Sequence, residues 1–234
     1  MNEETNVIIR TVDSPNIRIT VCYRSLAALA HRLDEWDLDM PSMATDLLVR
    51  GSGHRAPVVY GDYLRELTLL RLELHDSLRL PSLRSLTLQS VVVAVPFAPG
   101  EWCRQMEDLS LEDCTVEHRQ VDIRLPRLKL LIMDDVNVWP RHRYELAPFG
   151  HVTVDAPALE TLLVICSTGW TVEYESFTLR APALRRLSWW EQFTERVLLD
   201  VGMPGAVTEG TIEFKSNGKR EEMSCREMKY YRRS

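Results

Sequence analysis

Leu80-Pro81-Ser82-Leu83-Arg84-Ser85-Leu86-Thr87-Leu88 is the stretch on which the reading of the whole chain turns. A proline opens it, and leucines follow at the spacing L-x-x-L-x-L. The phrase returns as Met106-Glu107-Asp108-Leu109-Ser110-Leu111-Glu112-Asp113-Cys114 and as Leu125-Pro126-Arg127-Leu128-Lys129-Leu130-Leu131-Ile132-Met133. It returns again as Ala156-Pro157-Ala158-Leu159-Glu160-Thr161-Leu162-Leu163-Val164 and Ala181-Pro182-Ala183-Leu184-Arg185-Arg186-Leu187-Ser188-Trp189. Copies of one phrase in this order make a repeat protein.

Successive side chains of a strand point to opposite faces, so the last two apolar residues of L-x-x-L-x-L share one side. A single strand of this kind cannot bury that side alone. Stacked copies form a parallel sheet whose inner faces share one core. The predicted core is Leu47, Val49, Leu67, Leu69, Leu86, Leu88, Leu109, Leu111, Leu131, Met133, Leu162, Val164 and Leu187. Each proline falls just before its strand, where it owes no N–H to a ladder. First slots at 44, 64, 83, 106, 128, 159 and 184 give steps of 20, 19, 23, 22, 31 and 25 residues. Most of these match the period of leucine-rich repeats, and Met106–Cys114 ends on the cysteine their consensus allows. The expected fold is therefore an α/β, irregular leucine-rich repeat solenoid. It would be a curved stack of short parallel strands with helical or irregular convex connections.

One domain over 1–234 follows, with repeats over about 16–192, capping strands over 193–215 and a charged tail over 216–234. Val7–Arg10 and the alternating Ile17–Val21 read as strands. Ser25 is an N-cap for a helix with Leu26, Leu29, Ala30, Leu33 and Trp36 on one face. Thr45–Val49 is the next strand, and Gly51-Ser52-Gly53 is read as ending it. The 31-residue step carries an insertion around Asn137–Arg143. Its Trp139 either contacts a partner or folds back on the solenoid edge. Arg196–Val201 and Gly210–Lys215 read as strands over the open end, with Met223–Tyr231 either a short helix or part of a solvated end.

Composition sets the function classes. The net charge of −6, from 34 acidic and 28 basic residues, argues against a nucleic-acid partner. No apolar run reaches the roughly 20 residues that span a bilayer, so no membrane role is expected. Met1–Thr5 lacks the layout of a secretory signal. Cys22, Cys103, Cys114, Cys166 and Cys225 are odd in number and widely spread, which fits reduced thiols in the cytosol or nucleus.

Catalytic patterns are missing. His31, His54, His75, His118, His142 and His151 have no metal spacing, and no phosphate loop or nucleophile elbow occurs. Glu112-Asp113 and Asp134-Asp135 follow strands and read as turn residues. Cys114 occupies a core slot. A non-catalytic binding domain without a cofactor is expected, with an enzyme grafted onto a solenoid as the lesser alternative.

Between the inward leucines, alternate residues point out of the sheet on the concave face of such a solenoid. In order they are Ser85, Thr87 and Gln89, then Asp108, Ser110 and Glu112. Leu130, Ile132 and Asp134 follow, then Thr161, Leu163 and Ile165, then Arg186, Ser188 and Trp190. Leu130, Ile132, Leu163, Ile165 and Trp190 would form an apolar patch beside a polar strip, with Arg186 at its border. It is either the binding face for a target protein or a surface covered by the C-terminal segment or the Trp139 insertion.

Taken together, these phrases resemble the repeat region of plant F-box/leucine-rich repeat proteins, particularly the large grass set. Leu80–Leu86, Met106–Cys114, Leu125–Lys129, Ala156–Glu160 with Cys166, and Ser176–Arg185 carry the likeness. Glu195–Val197, Asp200–Gly202 and Ile212–Lys215 extend it, so that it runs from about Ile17 to near the C-terminus. The resemblance implies a substrate receptor of a cullin-based ubiquitin ligase, in which an F-box docks on a Skp-type adaptor and the repeats choose the target. Met1–Thr20 has no room for an F-box, so the adaptor is expected as a partner only if an F-box lies upstream. The chain is then a truncated product or fragment, or a relative keeping the recognition half, such as a free-standing binding or competitor protein.

Overall fold

The computed structural model describes residues 7–11, 17–22, 37–39, 44–56, 58–138, 150–165, 174–190, 196–203, 205–216 and 219–224. Before Thr45, at 52–54, at Tyr174 and after Ile212 it describes backbone alone. The chain opens with β1 (Val7–Thr11), β2 (Ile17–Cys22), β3 (Asp37–Asp39), β4 (Ala44–Arg55) and β5 (Val58–Tyr60). β6 (Glu66–Leu74), β7 (Ser85–Gln89) and β8 (Val92–Val93) precede α1 (Pro99–Trp102), the single helix among the described residues. β9 (Asp108–Glu112), β10 (Thr115–Val116), β11 (Gln120–Arg124), β12 (Leu130–Asp134) and β13 (Asn137–Val138) follow. The remaining strands are β14 (Gly150–Asp155), β15 (Thr161–Ile165), β16 (Tyr174–Arg180), β17 (Arg186–Trp190), β18 (Arg196–Asp200), β19 (Glu209–Ser216) and β20 (Lys219–Ser224).

The expected solenoid is present, with about six stacked turns. Its long sheet runs β1-β2-β4-β6-β7-β9-β12-β15-β17-β19-β20, parallel from β2 to β19 and antiparallel at its two ends. Leu67, Leu86, Leu109, Leu131, Leu162 and Leu187 share one row, and Leu69, Leu88, Leu111, Met133, Val164 and Trp189 share another. All thirteen residues predicted for the core are 0–2% exposed.

The connections behind this sheet are mostly strand. β11-β14-β16-β18 form a second parallel sheet. Val121 and Ile123, Val152 and Val154, Phe177 and Leu179 alternate with polar residues and point into the same core. Period two and β-branched side chains favour strand over the helical or irregular path expected there. Phe177 meets Trp189 of the long sheet edge-on at 4.8 Å, which ties the two sheets together. The helix expected between Ser25 and Trp36 lies outside the described residues.

Each turn bends sharply where β7, β9 and β12 end. Ser90, Asp113 and Asp135 have φ of 52°, 52° and 50°, and Arg71 takes 51° at the matching point within β6. This left-handed corner redirects the chain into β8, β10 and β13, which pair side by side and bury Val93, Val116 and Val138. The prolines precede their strands, each within a turn. Leu83, Leu128, Leu159 and Leu184 donate backbone N–H to Leu80, Leu125, Ala156 and Ala181 at 3.0–3.2 Å. Pro81, Pro126, Pro157 and Pro182 therefore occupy the second position of β-turns, where their fixed φ is preset.

Two readings are corrected. Gly51–Gly53 does not end β4, which runs on to Arg55 through a register shift between Arg50 and His54. A side chain on Gly51 would run into the buried Leu72 side chain and have to displace it at the bulge. The two strands expected after the last repeat are present, β18 beside β16 and β19 beside β17, each in parallel. Part of the expected tail is also strand, because Lys219–Ser224 returns antiparallel along β19.

Leu109→Ala is expected to lower the unfolding free energy by about 2–5 kcal/mol, while Thr87→Ala on the outer face shifts it by under about 1 kcal/mol. Asp113→Val should be about 1–3 kcal/mol less stable than Asp113→Gly, since both lose the carboxylate but only valine resists the left-handed corner. Urea unfolding followed by circular dichroism measures both comparisons.

Candidate protein-binding face

Register fixes what the long sheet presents outward. From β6 to β17 the first outer row is Glu66, Ser85, Asp108, Leu130, Thr161 and Arg186. The second is Thr68, Thr87, Ser110, Ile132, Leu163 and Ser188. The third is Leu70, Gln89, Glu112, Asp134, Ile165 and Trp190.

Five of the apolar residues singled out from sequence thus come together on three adjacent strands. Ile132 stands beside Leu163, Ile165 beside Trp190, and Leu130 lies two residues before Ile132 on the same side. Trp190 is 48% exposed, and the other four are half-buried. Arg186 is exposed at the border, its Nε 2.9 Å from Glu209 Oε2. Trp139 lies outside the described residues.

Reading parity only from Ser85 onward missed Leu48 and Leu70, which are outward and half-buried on β4 and β6. A line of charges at the strand entrances was also missed. Backbone hydrogen bonds of 2.7–2.9 Å link Arg65, Arg84, Glu107, Lys129, Glu160 and Arg185 in succession. Lys129 Nζ reaches Glu107 Oε2 at 2.6 Å, and Arg84 lies 3.5 Å from its other oxygen. The Lys129 hydrogen bond holds the Glu107 carboxyl below the usual carboxylate range, and the same contact raises Lys129. Asp108 goes the other way, raised by burial and then by the Glu107 charge. The residues are plain in the sequence, but their adjacency depends on unequal turn lengths.

Elsewhere a hollow of about 510 Å³ opens between β5 and the segment after β6, bordered by Tyr60, His75, Asp76 and Arg79. Arg55 pairs with Asp76 at 2.7 Å and His75 with Glu73 at 3.0 Å, so its rim is partly neutralised. Among the described residues no group of three or more metal-type ligands converges, and no helix is long and apolar enough to cross a membrane. Cys103 and Cys114 are buried free thiols. Cys103 Sγ donates to Leu83 O at 2.9 Å, and Cys114 Sγ to Leu88 O at 3.3 Å. Burial raises both, pushing Cys114 up to about 12, which leaves the thiol protonated and unreactive near neutrality.

No family model matches the chain, and no match to it was found among the curated proteins or the solved structures.

The buried thiol has a consequence for stability. Below about pH 8.5, the ordinary thiol value, folded and unfolded chains both hold the Cys114 proton. Above it the unfolded chain releases the proton first, so stability falls with rising pH until the folded thiol titrates near 12. Between about pH 9 and pH 11 the native protein should lose up to about 1.4 kcal/mol per pH unit more than Cys114→Ala, measured by denaturant unfolding at each pH.

Proposed function

We propose that the chain is a non-catalytic protein-interaction module. It receives a target protein on the outer face of its long sheet, as the leucine-rich repeats of an F-box ubiquitin ligase receptor do. The observation that carries the reading is the apolar patch of Leu130, Ile132, Leu163, Ile165 and Trp190, gathered on neighbouring strands with Trp190 48% exposed. Contiguous apolar surface of this kind marks interaction sites more often than idle surface. A large aromatic beside polar neighbours is the usual anchor of an interface.

The ubiquitin-ligase part of the proposal rests on the resemblance of the Pro-led leucine phrases to the grass F-box set. In that reading the repeats choose the target, and a Skp-type adaptor is engaged through an F-box and not through these turns. The cytosol or nucleus is the matching compartment, because Cys103 and Cys114 are free and the cysteines are scattered.

Two measurements test the proposal. The double variant Ile132→Asp, Leu163→Asp should keep its circular dichroism spectrum and melt within a few degrees of the native protein, yet lose the partners captured by proximity labelling in grass cells. Collapse of the fold would assign both residues to the core instead, and unchanged capture would move the site. The isolated chain should fail to retain a purified Skp-type adaptor, and near-stoichiometric co-purification would overturn the division of labour.

A further inference from the structure

The outer face is not uniform in charge, and the asymmetry says what kind of partner fits it. Along the three outer rows of β6, β7, β9 and β12 the charged residues are Glu66, Asp108, Glu112 and Asp134, all acidic, while the exposed Arg71 stands beyond these rows at the β6 corner. The third outer row joins this charge directly to the apolar patch. Glu112 is followed by Asp134, then Ile165, then Trp190, one strand step at a time. Asp113 and Asp135 follow at the left-handed corners and extend the carboxylates around the same edge. The basic side chains of the strand entrances lie at the opposite edge, where Lys129 and Arg84 are engaged by Glu107. A segment seated on the exit edge therefore meets carboxylates at one end and an indole at the other.

We infer that the occupant of this face is a polypeptide segment carrying lysine or arginine a few residues from a large apolar side chain. The cations would lie over Glu112 and Asp134, and the apolar group against Ile165 and Trp190. This deepens the reading of the face as a protein-binding surface and rests on it. Strands are spaced about 4.8 Å apart, so Glu112 and Trp190 are separated by about 14 Å across three steps. An extended segment rises about 3.3 Å per residue, which sets the cation about four residues from the anchor. Acidic or phosphorylated segments are excluded by like charge.

The experiment uses the full chain and an array of synthetic 12-residue peptides of randomised sequence. Bound sequences should be enriched in Lys or Arg about four positions from Trp, Phe, Leu or Ile. Affinity for the best peptide should fall about three- to tenfold between about 50 and 500 mM salt, because exposed charges are screened. Glu112→Gln with Asp134→Asn should weaken it by a similar factor and flatten the salt response, without changing the melting temperature by more than a few degrees. Enrichment of neutral or acidic peptides that are still lost on Ile132→Asp, Leu163→Asp would overturn the charge inference and leave the face intact. Peptides indifferent to that double variant would overturn the face itself. Absence of any enriched peptide counts against both.

Discussion

Leu67 stands beside Leu86, Leu86 beside Leu109, Leu109 beside Leu131, and the row continues through Leu162 to Leu187. A second row repeats two residues later, from Leu69 to Trp189. These aligned contacts are the constraint from which the rest follows. Side-chain direction alternates with period two, so a slip of one residue in any strand would bring Thr or Ser into the core and leucine out. The same lock that buries the leucines fixes the order of the outer rows. The apolar patch and its acidic neighbour are thus consequences of core register, and no local element positions them independently.

The left-handed corners and the proline turns let the stack keep that register despite unequal turn lengths. Each corner is a single residue held at φ near 50°. Asp113 tolerates this well because short polar side chains favour the region, and it accepts a hydrogen bond of 2.9 Å from Ser90 Oγ of the previous turn. The turns at Pro126, Pro157 and Pro182 bring the chain back from the second sheet to the long one. Between these two fixed points the intervening segment varies freely in length.

Sequence alone was enough for the inward rows, because leucine at L-x-x-L-x-L states both the strand and the buried face. It also placed Leu130, Ile132, Leu163, Ile165, Trp190 and Arg186 outward, since parity follows once the inward residues are known. It did not show the second sheet. Gln120–Arg124 and Gly150–Asp155 alternate correctly, but they are short and lie outside the leucine phrases, each separated from the next phrase by a proline turn. The corners were hidden because Arg71 and Ser90 are not residues that announce positive φ. β20 was read as tail because Lys219–Ser224 is mostly charged, and an outer strand paired on one side by backbone needs no apolar face to form.

The turn lengths have a kinetic meaning. Neighbouring first slots are separated by 19 to 31 residues, and strands of the long sheet pair mainly with the strand of the next turn. Closing a 31-residue loop instead of a 19-residue one adds only about 0.4 kcal/mol of entropy. Ordering therefore spreads from turn to turn with nearly equal increments, as in a one-dimensional chain of coupled units. Folding can begin at any well-packed pair, such as β7 and β9, and travel both ways. A break that uncouples a middle turn altogether, beyond the loss of one side chain, would leave two halves that melt separately.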